Sequence, residues 1–153
     1  MLLFQSFARY QNFPTFILPM IETRTCLISL LDTDVLRIEY KKDAFVEVED
    51  FEENLRAYKK LMTTEKAYLL TVARSGAEPS PEVREIYVSK ERSSFKLAEA
   101  FVISSLAQRI IANFIMRVQR PVHRLRFFTS EEEAKKWLYR QRELISEEQV
   151  VRH

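Results

Sequence analysis

Few residues of this chain have types and spacing that could carry chemistry. Ser80 precedes Pro81 and Glu82, so its hydroxyl stands at a predicted helix N-terminus. A phosphate is electrostatically favoured there, but the plainer role of such a serine is to cap the helix. Cys26 is the single cysteine. It lies in an apolar strand-like run with no base beside it, where a thiol behaves as a small hydrophobe and not as a nucleophile. No internal disulfide can form. His123 and His153 are the two histidines. A metal site needs several ligands at workable spacing, so no metal or other cofactor is expected, and His123 reads as a surface or edge-strand residue. Arg109, Arg117, Arg120, Arg124 and Arg126 fall in a stretch, 100–130, that contains no acid. Folding could gather them into a face for an anion or an acidic partner. The plainer alternative is a set of scattered, solvated arginines. Gly76 is the only glycine, which excludes the glycine-rich phosphate loops of both the Walker and the dinucleotide kind. No nucleophile–base pair, metal cluster or phosphate loop assembles from these residues, so an enzyme is not expected.

The elements that must position these residues fit a single domain. A chain of 153 residues is long enough to bury a sizeable core. Its 46% apolar and 30% charged residues are ordinary for a globular protein. A net charge of +2 gives no bulk electrostatic case for nucleic acid. The lone cysteine fits a reducing cytoplasm, and cytoplasmic localisation is the expectation. Residues 1–19 hold Phe4, Phe7, Phe13 and Phe16 but are interrupted by polar residues and by Pro14 and Pro19. They are too broken for a secretory signal or a membrane span, and read as an N-terminal arm or an over-long start. The apolar block 101–118 contains Gln108 and Arg109, so it reads as an amphipathic helix and no membrane insertion is expected.

Strands are predicted at 27–31 and 35–40, joined by the turn Asp32-Thr33-Asp34 into an antiparallel hairpin. In the second strand Leu36, Ile38 and Tyr40 share one face and Arg37 and Glu39 the other. A helix from Asp50, capped by that residue with Glu53 completing a capping box, carries Phe51, Leu55, Tyr58 and Met62 inward. The run 67–73 reads as a strand covered on both faces. Ser80 starts a second helix with Val83, Ile86 and Tyr87 buried. A strand at 98–103 leads through Ser104 or Ser105 into a third helix. Its inward residues are predicted to be Leu106, Ile110, Ile111, Phe114, Ile115 and Val118. Pro121 ends that helix. The last strand, 122–128, alternates Leu125 and Phe127 with Arg124 and Arg126, the pattern of an edge. Ser130 and Glu133 start a final helix docked by Ala134, Trp137 and Leu138. From Arg142 onward a fraying polar tail is expected.

The closing text Phe128-Thr129-Ser130-Glu131-Glu132-Glu133-Ala134 with Trp137-Leu138, and Ile110-Ile111-Ala112-Asn113-Phe114 before a proline, resemble the STAS proteins. More narrowly they resemble the uncharacterised bacterial SpoIIAA-like proteins, across about Glu22 to Arg140. The resemblance implies an α/β fold, a SpoIIAA-like (STAS) mixed sheet of about five strands with four helices, over residues 20–145, with a polar tail at 146–153. It also implies a regulatory module without catalysis. In the anti-sigma-factor antagonists of that fold a serine or threonine at the start of the second helix is phosphorylated and switches protein binding. The matching place here is the loop 74–81, with Ser80 and Ser75 as candidate phospho-acceptors. The Asp-Ser-Ser/Thr-Gly pattern of that site is absent, and no aspartate follows Asp50.

The function expected from sequence is therefore a cytoplasmic regulatory module that binds a protein partner, with homodimerisation possible through the N-terminal segment or a sheet edge. The alternative is a lipid- or small-molecule-binding module using a pocket between sheet and helices.

Overall fold

The computed structural model describes residues 19–153. The expected N-terminal arm lies outside the described residues except for Pro19. The described chain runs β1 (Met20–Glu22), β2 (Cys26–Asp32), β3 (Val35–Tyr40), β4 (Phe45–Val46) and α1 (Val48–Leu61). It continues with β5 (Ala67–Ala73), β6 (Glu78–Pro79), α2 (Pro81–Tyr87), α3 (Lys90–Ser93) and β7 (Lys96–Val102). Then come α4 (Leu106–Phe114), a π-helical turn (Ile115–Gln119), β8 (Arg124–Phe128) and α5 (Glu131–Val151).

Six strands form one mixed sheet in the order β1-β2-β3-β5-β7-β8, and β4 and β6 make a separate parallel pair. The first three strands are antiparallel neighbours. From β3 onward every pairing is parallel, because each strand is reached by a helical crossover instead of a tight turn. β5 lies in the middle and is buried along its whole length, as its unbroken apolar run requires. The expected α/β class and mixed sheet are present. The sheet has one more strand than expected, since the three-residue β1 is too short to read from sequence.

The sheet separates two cores. On one face Ile28, Leu36, Ile38, Leu69 and Leu125 pack with Phe51, Leu55 and Tyr58 of α1 and Val83 and Tyr87 of α2. On the other face Val35, Tyr68, Leu70, Ala98 and Ala100 meet Ala134, Leu138 and Ile145 of α5. Small alanines on β7 let α5 lie close to the sheet.

Several sequence expectations need correction. α1 starts at Val48, not Asp50. Asp50 instead occupies the third helical position and accepts the Glu47 backbone N–H at 2.9 Å, while its carboxylate is also gripped by Arg24. α5 does not fray after Arg142. It continues to Val151, because Ile145 is buried in the second core and Arg124 binds Glu148 at 2.8 Å. Arg142 itself binds Asp34 at 2.7 Å and Asp32 at 3.2 Å, across the β2–β3 turn. The largest correction concerns α4. Its expected inward residues Leu106, Ile110, Phe114 and Val118 point to solvent, while Gln108, Ala112 and Ile115 are buried and Ile111 is partly buried.

Candidate functional site

Three features share the α1–α2–α4 face of the sheet: a buried polar cluster, an apolar cavity and an exposed helical ridge. The cluster centres on Glu99 of β7, which is 1% exposed. Its register opposite Leu69 and Leu125 aims the carboxylate into the first core. Thr71 donates to it at 2.7 Å, Lys96 Nζ at 3.0 Å and His123 Nε2 stands 3.1 Å away. The Tyr87 hydroxyl donates as well. Lys96 Nζ also sits 4.0 Å from the centre of the Tyr87 ring, a cation–π contact.

Burial alone would raise the carboxyl pKa of Glu99. Burial is the largest single influence here, yet Lys96 and the hydrogen bond from His123 together reverse it and hold Glu99 below the usual carboxylate range. Burial and the neighbouring carboxylate push the Tyr87 hydroxyl well above its ordinary value, so it stays a donor. The carboxylate can only accept, so the His123 nitrogen facing it carries a proton. The other, Nδ1, is buried with no hydrogen-bond partner among the described residues. His123 reads from sequence as a surface or edge-strand residue; it directly precedes the edge strand β8, but its side chain is 2% exposed. Lys, His, Tyr and Glu are types used in acid–base work; here the Lys96 ammonium, the Tyr87 hydroxyl and His123 Nε2 all engage the Glu99 carboxylate inside the core.

Tyr87 links this cluster to the cavity, because its ring lines the cavity and its hydroxyl belongs to the cluster. The cavity measures about 70 Å³ and lies between the sheet, α2 and α4. Its aromatic lining includes Phe101 with three neighbours: Tyr40 stacked at 6.5 Å, Phe127 at 5.3 Å and Tyr87 edge-on at 6.4 Å. Gln108 closes one end. Its amide N–H groups donate to the carbonyls of Arg74 at 2.8 Å and Ala77 at 2.9 Å, and its oxygen accepts from the Ser104 backbone at 2.8 Å. These bonds tie α4 to the loop 74–77 and explain why a glutamine, not a leucine, faces inward.

The ridge is what that choice leaves outside. Leu106, Ile110, Phe114 and Val118 are 71%, 62%, 45% and 63% exposed. They are spaced four residues apart along α4 and the π turn, and Arg109, Arg117 and Arg120 are exposed on the same segment. Arg120 closes the segment with a left-handed φ of 47°, ahead of Pro121. The five arginines read together from sequence therefore separate. Arg124 and Arg126 lie on β8, on the α5 side of the sheet. There Arg124 binds Glu148 and Arg126 stacks 5.1 Å from the Phe128 ring centre.

The two serines also part. The Ser80 hydroxyl is buried and accepts the Val83 backbone N–H at 3.2 Å, in the expected N-cap. Ser75 is exposed in the preceding loop. Cys26 is buried, and burial pushes its thiol up to about 12, which matches the expected inert thiol. Among the described residues no group of acids, histidines and cysteines could hold a metal ion, and no helix is long and apolar enough to cross a membrane.

Residues 29–142 match the model of a protein family described as a domain of unknown function, DUF7793. The chain belongs to the DUF7793 family. The matched range contains the Glu99 cluster, the cavity and the α4 ridge of this DUF7793 domain. No curated protein matches the chain, and no solved structure matches it.

Proposed function

We propose that this DUF7793 domain is a non-enzymatic regulatory module whose α4 ridge docks an acidic, amphipathic helix of a protein partner. The exposed line Leu106–Ile110–Phe114–Val118, flanked by Arg109, Arg117 and Arg120, is the observation that carries this reading. A contiguous apolar strip in water is the kind of surface that marks an interaction site. Covering it returns about 25 cal/mol per Å² of apolar area. The arginines select the occupant. Two copies of the ridge face to face would set arginine against arginine, whereas carboxylates beside the apolar anchors of a partner helix would pair with them. The resemblance to the STAS and SpoIIAA-like proteins supports the same reading, through the opening hairpin β2–β3 and the closing helix α5. In a phospho-switch version Ser75 is the accessible hydroxyl, and Ser80 acts only after its cap opens.

A photo-crosslinking amino acid placed at Ile110 of the full chain in its native host tests the proposal. The expected product is an adduct with one protein through an acidic amphipathic helix. Purified, that partner should bind the wild-type chain in a salt-sensitive manner. It should bind the variant Ile110→Asp/Phe114→Asp roughly tenfold or more weakly, with the unfolding midpoint unchanged. Adducts only to a second copy, or internally to residues 1–18, would overturn the reading. So would salt-sensitive retention on anionic vesicles with no protein adduct.

A further inference from the structure

We infer that the cavity between α2, α4 and the sheet is a binding site for a short apolar carboxylate, with Arg84 as its anion receptor. The cavity volume is about 70 Å³. That is near half of the roughly 150 Å³ apolar cavity known to stay dry and admit benzene. It accommodates about three carbons, with the rest of a short chain in the mouth. Most of the interior offers water no partner. The Gln108 amide is bonded to Ser104, Arg74 and Ala77, and the Tyr87 hydroxyl is bonded to Glu99. The remaining inner lining is aliphatic or aromatic: Val46, Phe51, Val83, Phe101, Ile111 and Phe127 among others.

Arg84 breaks that pattern. It lines the same cavity, and its Nε–H is buried with no hydrogen-bond partner among the described residues. A buried donor without an acceptor is disfavoured, and a guanidinium fork matches a carboxylate in shape and charge. An apolar chain in the cavity would place its carboxylate against the Arg84 guanidinium, whose Nε is itself buried. Glu78, which is exposed, is the other charged residue of the lining. It repels a second carboxylate, which argues against dicarboxylates, and it offers a partner to an ammonium group. One carbon skeleton can therefore arrive in two forms: as a simple branched or linear acid, or as the corresponding apolar amino acid. This ligand does not depend on the α4 ridge having a partner.

The test titrates the full chain with 4-methylpentanoate and, separately, with L-leucine, read by calorimetry and by amide NMR shifts. At least one is expected to bind, with shifts centred on Ala77, Phe101 and Ile111. Arg84→Gln should weaken it roughly tenfold or more, the loss of a charge-assisted pair. Ala112→Leu, which fills the cavity, should abolish it while the native amide spectrum persists, and Ile111→Phe serves the same purpose should Ala112→Leu disturb folding. Tighter binding of leucine that is lost in Glu78→Gln assigns the amino acid, and tighter binding of the simple acid assigns the monocarboxylate. The proposal is overturned by no binding of either probe at tens of millimolar. It is equally overturned by binding that survives both Arg84→Gln and the cavity-filling change.

Discussion

Glu99 shows how much a single residue can organise and how little of that is written locally. Its carboxylate faces Thr71, Tyr87, Lys96 and His123, and these hold its pKa below the unfolded value of about 4.3. A carboxyl depressed in the fold contributes stability that is fully present above the unfolded pKa and is lost as pH falls through the folded one. Removing the ammonium reverses the balance. Lys96→Met leaves a buried carboxylate short of its counter-charge, which costs about 3–5 kcal/mol in urea unfolding at pH 7. The loss should shrink toward pH 4, as the Glu99 carboxyl, no longer held down by Lys96, takes up a proton. An equal loss at both pH values would mean that packing, not charge, makes Lys96 matter. In sequence the only trace of the cluster is two opposite charges, Lys96 and Glu99, in an otherwise apolar strand. The histidine that completes it lies 24 residues further on. Distance along the chain hides such a partner, and a lone histidine two residues after Pro121 reads as surface or edge strand.

Elements were more legible where one physical rule governs them. The strands 35–40 and 67–73 and the cap at Ser80 follow from period-two alternation, a continuous apolar run and serine–proline chemistry. α4 failed because a helix rich in apolar residues on both sides has two candidate inner faces. Size favours the stripe Leu106, Ile110, Phe114, but the cavity and the carbonyls of Arg74 and Ala77 select Gln108, Ala112 and Ile115. The exposed stripe should therefore be nearly free to change. Ile110→Ser is expected to shift stability by no more than about 0.5 kcal/mol. Leu138→Ala, at a position 1% exposed in α5, should cost about 2–5 kcal/mol. Guanidinium unfolding of both variants measures the contrast. A loss above about 2 kcal/mol for Ile110→Ser would place that face in the core and remove the ridge from the functional account.

At the scale of the whole molecule the sheet acts as a wall between a supporting side and a working side. α5 covers one face and is held at its start and its middle: Arg37 of β3 binds Glu131 at 2.7 Å, and Arg142 binds the acids of the β2–β3 turn. The cavity, the Glu99 cluster and the α4 ridge all lie on the other face. Sequence order alone could not assign the helices to faces, since α1, α2, α4 and α5 each carry an apolar stripe; the packing of Ala98 and Ala100 under α5 decides it. This separation has a measurable consequence. Ile145→Ala, in the last turns of α5, should lower stability by roughly 2 kcal/mol, because it opens a void in the second core. Affinity for a carboxylate probe and crosslinking at Ile110 should stay within about twofold of wild type, since distant sites with no shared partners act independently. Matched losses of stability and of binding would instead show the two faces to be energetically coupled. α5 would then belong to the working machinery and not to its support.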